Sequence, residues 1–102
     1  MRLPSGPFYL LSRDAGPGQW EYLTLDLAGR AAAAFFTAAG AAEAYRAARP
    51  GEGWEVVGVE RAGLLELLAA GFRRGVFDAA ADPDPAGSAQ AVPIPRVLLD
   101  SE

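Results

Sequence analysis

The sequence predicts an α+β domain: a small, mostly antiparallel sheet with two helices on one face, in the order β-β-β-α-β-α-β. Three observations predict it. Trp20 to Leu27 alternates with the period of two that a half-buried strand requires. Trp54-Glu55-Val56-Val57-Gly58-Val59-Glu60 is β-branched and bounded by glycine, as strands are. Leu64, Leu65, Leu68 and Phe72 recur at helical spacing.

The elements follow in order. Phe8-Tyr9-Leu10-Leu11 is an apolar run too short for a helix and reads as a strand. Ser12 to Gln19 is rich in turn residues. In the next strand Leu23, Leu25 and Leu27 point one way, and Trp20, Tyr22, Thr24 and Asp26 point the other. Ala28-Gly29 supplies a tight turn into a strand over Ala31 to Phe36. Thr37 then caps a helix from Ala38 to about Ala48, stopped by Pro50-Gly51. The competing reading is a single Ala-rich helix from Arg30 to Arg49, which propensity alone allows. After the Trp54–Glu60 strand comes a helix over roughly Ala62 to Arg74, with Gly75 as its cap, and a last strand from Val76 to Ala80. Residues 1–80 thus form a single α+β domain. Residues 81–102 form a Pro-rich tail packed on it, in which Pro93 and Pro95 exclude a central strand around Ile94.

Composition narrows the chemistry. The chain has 102 residues and a net charge of −4, with no Cys and no His. All nine basic residues are Arg. Disulfides, thiolate nucleophiles, His general bases, Lys Schiff bases and soft metal ligands are therefore outside its means. No cofactor is expected, and any metal would have to rest on hard oxygen donors. Scattered Arg on an acidic chain argues against nucleic-acid binding. Pro and Gly in the first seven residues do not suit a signal peptide, and no apolar run approaches a membrane span, so the expected location is cytoplasmic.

Four groups of residues are candidates for function. Asp78, Asp82 and Asp84 could hold a hard cation, but the further oxygen ligands of a calcium loop are absent and a solvated loop explains them. Asp26, Glu55, Glu60 and Glu66 could supply a carboxylate pair for hydrolysis, against surface solubility and local pairs such as Glu43 with Arg46. Gly16-Pro17-Gly18 and Gly51-Glu52-Gly53 could present backbone N–H groups to an anion, although ordinary turns suffice. The fourth is the strand face carrying Trp20, Tyr22, Thr24 and Asp26. If both helices lie on the Leu23 side, this face is covered either by another molecule, as an interface, or by the tail from Ala89 to Leu99.

Phe35-Phe36-Thr37, Glu43, Tyr45, Gly53-Trp54-Glu55-Val56-Val57 and Leu64-Leu65-Glu66-Leu67-Leu68 together resemble small bacterial α/β proteins of unknown function. More loosely, Phe36-Thr37 before an amphipathic helix is similar to the SseB N-terminal-type domain. That resemblance implies a regulatory or interaction role and no catalytic residues. The expected function is thus a non-enzymatic interaction module whose partner is a second copy or another protein. The alternatives are a small-ligand or carboxylate-based hydrolytic domain, and an acidic antitoxin or immunity-type partner.

Overall fold

The computed structural model describes residues 3–100, so the terminal pairs 1–2 and 101–102 of the two ranges above lie outside it. The fold is α+β, mostly antiparallel, with seven strands in two sheets and three helices among the described residues. The strands are β1 (Phe8–Gly16), β2 (Gln19–Tyr22), β3 (Thr24–Leu27), β4 (Arg30–Phe35), β5 (Glu55–Val59), β6 (Asp78–Ala81) and β7 (Ala91–Pro93). The helices are α1 (Ala39–Ala47), α2 (Arg61–Arg73) and α3 (Ile94–Asp100). One sheet has the order β2-β1-β5, the other β3-β4-β6-β7, and only β4 and β6 run parallel.

The single sheet expected from the sequence is corrected to two, and the reason lies at Leu23. The segment from Gln19 to Leu27 is one extended stretch that changes partner midway. Its first half pairs with β1 and its second half with β4. Between them the Leu23 N–H donates to the Leu11 carbonyl at 2.9 Å, and the Leu23 carbonyl accepts from Ala34 N–H at 3.1 Å. β1 and β4 touch through paired hydrogen bonds between Tyr9 and Phe36, at 2.9 and 2.8 Å, and then splay apart. Two hairpin arms therefore leave one junction. The β1–β2 arm turns at Pro17-Gly18 and the β3–β4 arm turns at Ala28-Gly29, where both residues have positive φ (55° and 82°), as a two-residue hairpin turn demands.

The helices do not share a face, which is the second correction. Phe8 and Leu10 pack with Leu64 and Leu68 of α2, whereas Leu11 packs with Ala42 and Tyr45 of α1. α1 and α2 thus sandwich the junction. The physical reason is that Phe8-Tyr9-Leu10-Leu11 is apolar without alternation, so both of its faces need cover. Ala34, Phe35 and Phe36 behave alike: Phe35 faces the α2 cluster, and Ala34 and Phe36 face the α1 cluster.

The strand-to-helix switch near Thr37 holds, since β4 ends at Phe35 and α1 begins at Ala39. Thr37 is not the cap. Ala38 occupies that position without a side-chain hydrogen bond. The Thr37 hydroxyl instead donates to the Asp82 carboxylate at 2.7 Å, and its backbone N–H donates to the same carboxylate at 2.8 Å. Asp82 in turn donates its own N–H to the Phe35 carbonyl at 2.8 Å. The end of β6 therefore clamps the exit of β4.

α2 ends in a Schellman motif. Val76 N–H donates to the Gly71 carbonyl at 2.9 Å and Gly75 N–H to the Phe72 carbonyl at 3.2 Å, with Gly75 at φ 97°. Phe72, expected in the helix's apolar stripe, is exposed and stacks edge-on against Phe77 at 5.3 Å between ring centroids. The tail enters the core. β7 is an edge strand, which tolerates Pro93, and Pro95 sits in the first turn of α3, where proline is allowed. Ile94 and Val97 are fully buried beside Phe8, Phe35 and Leu64. The tail therefore packs in the α2 cluster and does not lie over Trp20.

Candidate functional site

The four residues of the candidate interface all emerge exposed, in the alternation expected, opposite buried Leu23 and half-buried Leu25 and Leu27. They are divided between the arms. Trp20 and Tyr22 stand on β2, and Thr24 and Asp26 stand on β3. Trp20 is 62% exposed and Tyr22 43%. β2 and β3 each pair on one side only and terminate their sheets, so this stretch also carries a free strand edge.

Beside it lies a groove of about 320 Å³. Trp20, Tyr22 and Thr24 form one wall; Leu67, Ala70 and Gly71 of α2, with Arg74 at its C-cap, form the other. Leu10, Leu64 and Leu68 lie between them, and Leu23, which packs in the α1 cluster, borders the groove. Asp26 lies outside it. The α2 wall was not anticipated as a site. Leu67 lies at i+3 from Leu64, on the ordinary apolar stripe of α2, so nothing in the sequence sets this wall apart from a core face.

The opposite face of the junction is closed. Tyr45 is buried against Phe36 at 5.8 Å between ring centroids, and Trp54 is buried beside them. Two guanidinium groups cover the rings: Arg49 lies 3.8 Å from the Tyr45 ring centroid and Arg13 lies 4.2 Å from that of Trp54. Each is held in place. Arg49 donates to the Pro85 carbonyl at 2.8 Å, while Arg13 pairs with Glu21 and donates to the Glu52 carbonyl at 3.2 Å. The Trp54 indole N–H donates to Glu52 at 2.8 Å. Burial raises the Tyr45 phenol above its ordinary pKa, and the Arg49 cation pulls in the opposite sense.

The remaining candidates are dispersed. Asp78 pairs with Arg30 at 2.9 Å, Asp82 takes Thr37, and the Asp84 side chain accepts the Ser88 N–H at 2.9 Å. Three carboxylates thus do three separate structural tasks, and among the described residues no three acidic groups gather as a metal site would need. Asp26, Glu55, Glu60 and Glu66 are exposed, and none lines the groove. Glu43 and Arg46 form the expected local pair at 2.7 Å. In the first glycine turn the Gly16 N–H donates to Asp14 at 2.9 Å, and in the second the Glu52 N–H donates to the Arg49 carbonyl at 3.4 Å. Among the described residues no helix is long and apolar enough to cross a membrane.

Compared with protein-family models and with curated protein sequences, the chain matches none.

Proposed function

We propose that this chain is a non-enzymatic interaction module that self-associates through the Trp20–Tyr22–Thr24 strand and the groove beside it. The observation that carries the reading is the exposure of Trp20 and Tyr22 on a free strand edge next to an apolar cleft. Large aromatics are the residues that interfaces bury most profitably, and β-edge pairing supplies main-chain hydrogen bonds between copies. The loose resemblance to the SseB N-terminal-type domain points the same way. The hydrolytic alternative gains nothing, because the candidate carboxylates stand apart from the cleft.

Sedimentation velocity over a wide concentration range tests the proposal. The wild type should show a concentration-dependent dimer. Trp20→Ala should remain monomeric with an unchanged far-ultraviolet circular dichroism spectrum. A wild-type monomer at every concentration removes self-association, and a Trp20→Ala chain that dimerises as well as the wild type removes this face.

A further inference from the structure

The groove has a chemical character that goes beyond a docking face for a second copy. Its volume of about 320 Å³ falls at the small end of pockets that hold organic ligands. One turn of a helix with its side chains fills roughly 400 Å³, so the space suits a small molecule better than a partner helix. Its lining is mostly Leu and Ala, with the Trp20 and Tyr22 side chains on the outer wall.

Two charged residues line it, Glu21 and Arg74. They are not equivalent. Glu21 is neutralised by Arg13, the same guanidinium that stacks on Trp54. Arg74 makes no ion pair among the described residues. The groove therefore offers one guanidinium uncommitted to a carboxylate, at the C-cap of α2 and next to an apolar body.

We infer that the groove binds a small amphipathic carboxylate, its hydrocarbon part against Trp20, Leu67 and Ala70 and its head group on Arg74. An Arg–carboxylate contact is the strongest polar pairing this alphabet offers, being charge-assisted and bidentate. A cationic amphiphile would find its only acidic neighbour already paired. A neutral one would leave Arg74 unused.

The test is carried out on dilute, monomeric protein, so that it stands or falls separately from self-association. Decanoate, decanol and decylammonium are titrated at neutral pH below their aggregation limits. Binding is read by calorimetry and by Trp20 emission in a Trp54→Phe chain. Decanoate should bind about tenfold more tightly than decanol, the scale of one hydrogen bond to a charged group. Decylammonium should bind no more tightly than decanol. Arg74→Gln should erase the decanoate advantage and leave decanol unchanged, whereas Arg73→Gln, outside the groove, should preserve it. Ala70→Phe should fill the space and abolish binding of all three while the chain stays folded. Equal affinity for the three probes, an advantage that survives Arg74→Gln, or no binding by any probe would each overturn the inference.

Discussion

The two faces of the β1–β4 junction are built from neighbouring residues and end in opposite states. On the α1 side, Phe36, Tyr45 and Trp54 form an aromatic cluster that two arginines roof over. On the α2 side, Trp20 and Tyr22 stand in solvent above a leucine-lined groove. Both faces are rich in aromatic side chains, so hydrophobicity alone does not separate them. What separates them is whether a second element reaches the rings. Arg49, at the end of α1, is anchored on the Pro85 carbonyl and lies across Tyr45. The β1–β2 arm swings Arg13 toward Trp54 and leaves Trp20 facing away from it. The closed face is sealed by the chain itself, and the open face leaves Trp20 and Tyr22 to solvent.

That division can be broken most forcefully by truncating one tyrosine on each side. Tyr45→Ala should cost about 3–5 kcal/mol, as expected for a fully buried aromatic whose space cannot refill. Tyr22→Ala should change stability by no more than about 0.5 kcal/mol, as at an exposed site. Urea unfolding of both variants measures the contrast. Comparable losses would mean that the groove is part of the core.

A smaller effect is expected at the clamp that seats α1 on the closed face. Asp82→Ala removes both hydrogen bonds to Thr37 and places alanine at φ 50°, a backbone that aspartate tolerates better. The loss should be about 1–2 kcal/mol, given that the site is exposed. Thermal unfolding with near-ultraviolet circular dichroism checks it, and the Tyr45 environment should loosen with it. A variant as stable as the wild type would leave α1 positioned by packing alone.

The smallest effect separates the faces by pH. The folded chain holds the Tyr45 proton where the unfolded chain, with its phenol near pH 10, has already released it. This contribution is complete below that value and disappears as pH rises through the raised folded pKa. Tyr45→Phe should therefore flatten the alkaline fall in stability, and Tyr22→Phe should leave it unaltered. An alkaline limb identical in the wild type and Tyr45→Phe would contradict the burial.

Much of this arrangement was legible in the residues, for local reasons. The alternation from Trp20 to Leu27 set which side chains turn inward, and the change from aromatic residues to alanine near Thr37 marked the switch from β4 to α1. The bend at Leu23 was not legible, because no glycine or proline marks it. It is imposed by β1 and β4 diverging, and each belongs to a distant part of the chain. Thr37 looked like a cap because caps are local, whereas its true partner, Asp82, is 45 positions away. The tail's entry into the core had a faint sign in the spacing of Ile94 and Val97, one helical turn apart, which the flanking prolines obscured. For the groove, Trp20 and Tyr22 were visible in advance. The opposing wall of Leu67, Ala70 and Arg74 needed the packing of α2 to come into view.

The chain contains two tryptophans, one on each face, which makes the central claim directly measurable. Iodide quenching is followed in Trp54→Phe, which reports Trp20, and in Trp20→Phe, which reports Trp54, at increasing protein concentration. In dilute solution Trp20 should quench readily and Trp54 should resist. As concentration rises, Trp20 should become protected while Trp54 stays as it was. A Trp20 already shielded in the dilute monomer, or two tryptophans equally open to iodide, would contradict the account of one sealed face and one open face.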